Sequence, residues 1–211
     1  MIAVLKFPGT NGDLDVLRAL QLAGLRGEVV WHKDYTPGRY DAVVIAGGFS
    51  YGDRLRAGAI AAATKAVDYV REDAERGVPV LGICNGFQIL VEAGLLPGVL
   101  LPNDPPGFIS RWIPVRVVDN ETPFTLLYER GEVVYMPVAH AEGRYVPTGP
   151  YRAAFRYVEN PNGSVDDVAG VAGGGVVGLM PHPERAVDPH VSRRGVGGLK
   201  LWLSLKTWLR T

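Results

Sequence analysis

Short apolar runs alternate with amphipathic ones through the first half of the chain, and this alternation constrains the fold more than any other feature. Ile2–Phe7, Glu28–His32, Asp41–Gly48 and Val78–Ile83 have the length and composition of buried strands. Leu14, Leu17, Leu20, Leu22 and Leu25 predict an amphipathic helix between the first two. The turn PGTNGD opens it, with Asn11 or Asp13 as cap, and Gly24 or Gly27 ends it. A second helix is predicted from about Ala59 to Arg76, stopped by Gly77. Strands separated by helices of this length pair in parallel, with helices on both faces. The expected fold class is therefore α/β, an open, mostly parallel, doubly wound sheet.

From about Ile109 the pattern changes. WIPVRVVD, FTLLY, GEVVYMPVAH and AAFRYV are successive strand candidates without helices between them. They predict an antiparallel extension at about 109–160. GGGVVGLMPHPERA returns a strand to the sheet, and GGLKLWLSLKTWL closes the chain as a helix with Leu199, Trp202, Leu203 and Leu205 to bury. No repeat or linker divides residues 1–211, which predicts one domain. Hydrophobic residues make up 47% and charged residues 21%, enough for a sizeable core. The formal charge of zero carries no basic run, which argues against nucleic acid as a partner. The single cysteine excludes an internal disulfide and argues against a cysteine-based metal cluster; no metal is expected. The simplest setting is reducing and cytoplasmic. The N-terminal run is too short for a signal peptide, and no apolar run has the roughly 20 residues that span a bilayer, so no membrane association is expected.

That one cysteine, Cys84, stands in VPVLGICNGFQIL, where a strand gives way to a helix, with Gly82 and Gly86 on either side. G-x-C-x-G in this context has the pattern of a nucleophile elbow. A sharp turn lifts the side chain above the sheet and needs small neighbours. The helix starting near Asn85 aims free N–H groups at the sulfur, which favours the attacking anionic form. The N–H of Asn85 is placed for an oxyanion hole. A lone cysteine at a strand end more often just fills space, so the assignment depends on a base.

Of the four histidines, His182 lies in MPHPER, bracketed by Pro181 and Pro183. A residue before proline is driven out of the helical region, which predicts an extended His182. Residues two apart in extended chain share a face, so Glu184 can accept the imidazole N–H and fix its tautomer. Taken alone, such a segment is more often an ordinary solvated loop. Joined to the elbow, it predicts a triad in the order Cys84, His182, Glu184.

These residues carry a resemblance. GICNGFQIL together with HPE resembles the class I (triad) glutamine amidotransferases. More narrowly, GGFSYGDRLRAGAIAA, AHAEGRY and MPHPERA are similar to the glutaminase subunits of formylglycinamidine ribonucleotide synthase, and the resemblance runs from Phe7 to Ala186. Gly12 stands where that family commonly has cysteine, and Ala141 where it has glycine.

The resemblance implies attack of Cys84 on the side-chain carboxamide of glutamine, with His182 protonating the departing ammonia and then activating water. Gly48, in the pair Gly47–Gly48, joins Asn85 as a backbone oxyanion donor. Gln88, His140 and Glu142 are the implied glutamine-binding residues; Ser50, Asp53 and Arg56 would lie beside the pocket or at a partner surface. The ammonia would pass to a large ATP-dependent synthetase subunit, often with a small bridging subunit. This chain has no G-x-x-x-x-G-K-[ST] loop, so ATP and magnesium are expected on the partner. Two other readings remain open from the residues alone. One is a cysteine peptidase or stress-response protein of related fold, distinguished by cleavage of peptides rather than release of ammonia from glutamine. The other is a non-catalytic module holding a phosphate at PGTNGD.

Overall fold

The computed structural model describes residues 1–192 and 194–210. Nine strands form one sheet. β1 (Ile2–Lys6), β2 (Gly27–Trp31), β3 (Ala42–Ile45), β4 (Val80–Ile83) and β11 (Val176–Leu179) pair in parallel, in the order β2-β1-β3-β4-β11. β10 (Val168–Gly173), β9 (Arg152–Tyr157), β6 (Ile109–Val117) and β7 (Val133–His140) then extend the sheet antiparallel, in the order β10-β9-β6-β7. A separate antiparallel pair joins β5 (Val99–Leu101) to β8 (Arg144–Val146). β1, β3 and β4 are buried along almost their whole length, as expected for strands covered on both faces by helices.

The helices are α1 (Asp13–Leu22), α2 (Ala59–Ala62), α3 (Lys65–Glu75), α4 (Asn85–Glu92) and α5 (Leu199–Leu209). Five sequence expectations are corrected here. The helix predicted from Ala59 to Arg76 is two, because Thr64 is extended and turns its hydroxyl back to the Ala61 carbonyl at 2.7 Å. α1 turns Val16, Ala19 and Leu20 inward, while Leu14 and Leu22 are exposed. At about 100° per residue, Leu14 and Leu20 lie about 120° apart, so the leucines do not form one face. Neither Asn11 nor Asp13 caps α1: Gly12 is the cap, and Asp13 takes Lys6 at 2.7 Å instead. FTLLY is a series of turns rather than a strand. The Thr122 and Thr125 hydroxyls bond each other at 2.7 Å and accept backbone N–H groups of that segment, holding it in turns. In α5, Leu201, Trp202 and Leu205 are buried, whereas Leu199 and Leu203 are only half-buried.

Candidate active site

The parallel half of the sheet delivers Cys84. β4 ends at Ile83 and α4 begins at Asn85, leaving Cys84 alone to make the turn at φ 51° and ψ −106°. A non-glycine residue in this region stores strain of order 1–3 kcal/mol. The flanking glycines allow it. A Cβ on Gly86 would lie 2.0 Å from the Ile45 carbonyl oxygen, and one on Gly82 would lie 2.7 Å from Gly86 backbone atoms. Both crossings are closed to any side chain.

The next loop over, at the end of β3, supplies a second backbone donor. Thr10 and Gly48 form an isolated antiparallel bridge, with Asn11 N–H on the Gly47 carbonyl at 3.2 Å and Phe49 N–H on the Gly9 carbonyl at 2.9 Å. The Gly48 N–H takes no part in that bridge and is left without a partner among the described residues, as is the Asn85 N–H. A Cβ on Gly48 would collide with Gly9 and Thr10, and its φ of 153° suits glycine. The N–H groups of Thr10, Asn11 and Gly12 are all spent on carbonyls within this arrangement, so PGTNGD offers them to no phosphate.

β11 runs beside β4 and leads into His182, whose Nδ1 lies 2.7 Å from Glu184 Oε1. Both side chains are buried. His182 is kept out of the helical region, as expected before proline, but at φ −102° and ψ 89° it falls short of the extended conformation, and Glu184 reaches it from a short 3-10 turn over Pro183–Arg185 rather than from a continuing strand. The Glu184 carboxylate fixes the proton on Nδ1, which leaves Nε2 as the working nitrogen; Nε2 has no hydrogen-bond partner in the resting site. Burial lowers the imidazole's affinity for a proton, but the Glu184 carboxylate and then Cys84 outweigh it and push His182 up to about 9. The thiol itself rests on the Ala139 carbonyl at 3.6 Å. Cys84 and His182 line one cavity of about 210 Å³ with Gly48, Phe49, Phe108 and Arg185. A larger cavity of about 370 Å³ opens on the far side of Glu184, away from the sulfur.

A second, smaller cavity of about 50 Å³ shares Gly48, Phe49, Cys84 and Ala139 with the first and is lined further by Gln88, His140, Glu142 and Asp53. It has room for a few waters at most. Gln88 faces it and is held at both ends of its amide: Nε2 donates one N–H to the Glu142 carbonyl at 2.7 Å and Oε1 accepts from Asn85 Nδ2 at 2.9 Å, leaving a second N–H on Nε2. Asn85 Oδ1 in turn accepts the Ser50 N–H at 3.0 Å, and Glu142 Oε2 accepts the Ala57 N–H at 3.3 Å. Arg56, from the same signature loop, turns outward to Glu92.

His140 ends β7 and is buried. Asn103 is not legible in the sequence as a site residue, because LPNDPPG reads as plain loop; it clamps this imidazole. Its Nδ2 donates to the carbonyls of His140 and Gly107, and its Oδ1 accepts Gly143 N–H and His140 Nδ1–H, both at 3.0 Å. Burial, then the neighbouring His182, lowers His140 to about 4, so it is neutral near pH 7. With Nδ1 carrying the proton, Nε2 is an unpartnered acceptor. The structure thus brings Cys84, His182, Glu184, Gly48, Asn85, Gln88, His140 and Glu142 into one region, with Gln88 also bracing Asn85 against the Glu142 loop.

Residues 1–152 match the CobB/CobQ-like glutamine amidotransferase domain family. Over 99% of its length the chain is 81% identical to phosphoribosylformylglycinamidine synthase subunit PurQ of Pyrobaculum aerophilum, covering 99% of that protein, and 52% identical to the same subunit of Pyrococcus horikoshii, covering 98%. The chain belongs to the PurQ family of glutamine amidotransferases. Its fold agrees: a chain of the Thermotoga maritima PurLQS structure superposes with a TM-score of 0.95 at 43% identity, over 99% of this chain and 98% of that one. Another glutamine amidotransferase of Thermotoga maritima, at 18% identity and a TM-score of 0.65 over 100% of this chain and 98% of that one, shares the fold alone. As a PurQ-family member the chain is an enzyme, and the resemblance carried by the cysteine and histidine motifs holds. No helix among the described residues is long and apolar enough to cross a membrane.

Proposed function

We propose that the chain hydrolyses glutamine to glutamate and ammonia through Cys84, His182 and Glu184, and hands the ammonia to an ATP-dependent synthetase that converts formylglycinamide ribonucleotide to formylglycinamidine ribonucleotide in purine biosynthesis. One observation carries the reading. An elbow cysteine shares a cavity with an imidazole whose far nitrogen is locked on a buried carboxylate and whose near nitrogen is free.

Cys84 Sγ attacks the carboxamide carbon, and the oxyanion forms between the N–H groups of Gly48 and Asn85. His182 Nε2 receives the thiol proton and passes it to the departing nitrogen, so the C–N bond breaks and ammonia leaves a glutamyl thioester. His182 then takes a proton from water, hydroxide displaces sulfur, and glutamate leaves as the thiol is restored. An imidazole raised to about 9 holds the proton that the leaving nitrogen needs. Glu184 orients the ring and stabilises its charge.

The remaining assignments rest on the relatives and on chemistry. The partners are a small bridging subunit and the large synthetase subunit of the same complex, in the cytoplasm. The exposed Phe49 and Phe108 at the mouth of the thiol's cavity support coverage by a partner there. ATP and magnesium are assigned to the synthetase, because this chain carries no G-x-x-x-x-G-K-[ST] loop to cradle a nucleotide's phosphates. A glutamine pocket of about 50 Å³ must widen to fill, which predicts slow turnover alone and faster turnover in the complex.

The test labels the protein with a glutamine-mimicking electrophile and follows ammonia release with and without the synthetase and its substrate. We expect one adduct, on Cys84, blocked by glutamine, and a rate that rises on assembly. Full turnover by the lone chain, unchanged by the complex, would overturn the coupling. An adduct elsewhere, with Cys84→Ala fully active, would overturn the triad.

A further inference from the structure

The small cavity beside Cys84 is lined by Phe49 and three alanines, and of its polar side chains three present acceptors: Asp53, His140 and Glu142. Asp53 enters it from the loop after β3, half-buried, with Oδ1 sealed from solvent and bonded to nothing. His140, 2% exposed, lines the same cavity and carries the unpartnered acceptor Nε2. Its proton is held away on Asn103, so the nitrogen has only a lone pair to offer. Glu142 is the other carboxylate of the cavity; its Oε2 already accepts the Ala57 N–H. Gln88, the one side-chain amide present, spends one of its two N–H groups on the Glu142 carbonyl.

Two anions and a bare lone pair around one small space match a ligand group that is cationic and rich in N–H. The backbone supports a seat rather than a chance approach. Tyr51, Asp53 and Leu55 all sit at positive φ (53°, 52° and 71°), and the loop is tied down by Ser50 N–H on Asn85 and Tyr51 N–H on the Pro8 carbonyl at 2.7 Å. Non-glycine residues persist in that region only where their surroundings hold them. Burial, and then the Glu142 charge, pushes Asp53 up to about 6.

Resting on the glutaminase reading above, we propose that Asp53 is the residue that seats the α-ammonium of the substrate, so that recognition of a free amino acid is built into the loop that follows the oxyanion strand. A side chain so placed pairs with the one cation that L-glutamine carries and draws its carboxamide toward Cys84. It rejects carboxamides that lack an α-amino group.

Glutaramate, which is glutamine without the α-amino group, isolates this contact. With the chain assembled with its synthetase, wild type is expected to favour glutamine over glutaramate by at least about 100-fold in kcat/KM. Asp53→Asn should raise KM for glutamine about 30-fold or more, leave kcat within about 3-fold, and leave glutaramate hydrolysis unchanged. A wild type that uses both substrates equally well overturns the proposal, whatever the variant does. So does a variant that loses both activities in parallel, because Asp53 then only shapes the loop, and so does one whose KM for glutamine stays put. Failure of the glutaminase reading looks different: wild type would release ammonia from neither compound and take no glutamine-protected label on Cys84.

Discussion

The two buried histidines beside Cys84 have the same depth and opposite chemistry. His182 sits at the end of the parallel half of the sheet with its Nδ1 on a carboxylate, and is pushed up to about 9. His140 sits at the end of the antiparallel half with its Nδ1 on a carboxamide, and falls to about 4. Burial acts first on both and in the same direction. The partner's charge decides whether burial wins. One ring is thereby kept able to hold a proton, and its neighbour is kept neutral so that two like charges do not compete across the sulfur.

That contrast can be broken from either side. The largest effect is expected from Glu184→Gln, which gives His182 the kind of partner His140 has. Turnover should fall about 10⁴-fold, as when a triad acid is replaced by its amide. The sign of the pH effect follows from the raised pKa: wild-type activity is lost as pH rises through about 9, and removing the carboxylate moves that limb down. A pH–rate profile of the residual activity checks it. Asn103→Asp makes the converse exchange. His140 should then hold a proton at neutral pH, repel the His182 imidazolium and cost about 10-fold in turnover, with histidine NMR titrations showing the two rings converge. Asn103→Ala leaves the Gly107 and His140 carbonyls and the Gly143 N–H without their partner. It should cost about 1–3 kcal/mol for each group left buried and unpaired, read by denaturant unfolding. The smallest effect is expected from Arg56→Ala. Its bond to Glu92 is also a cation–carboxylate pair, but it lies at the surface, so the unfolding midpoint should not move measurably.

The parallel half is largely legible from sequence because its signals are local. Glycine spacing around Cys84, apolar runs between helices and prolines bracketing His182 each act within a few residues. The antiparallel half is legible only as a region. FTLLY has strand composition, yet two threonine hydroxyls hold it in turns. The β5–β8 pair joins segments far apart in the chain and leaves no local mark. At the site, residue types reveal the triad, whereas Asn103 stays hidden because nothing about an asparagine in a proline-rich loop announces a clamp. Gln88 reads from sequence as a ligand contact, since its position on α4 shows which way it faces but not whether its amide is already engaged.

Ser50, Asn85, Gln88, Glu142 and Ala57 form a nearly closed hoop of amide and carboxylate bonds, because Ser50 and Ala57 belong to the same loop. A hoop of this kind has no independent segments. Widening the pocket at the His140–Gly143 corner therefore stretches or breaks bonds that reach through Gln88 and Asn85 to Ser50, on the loop after β3.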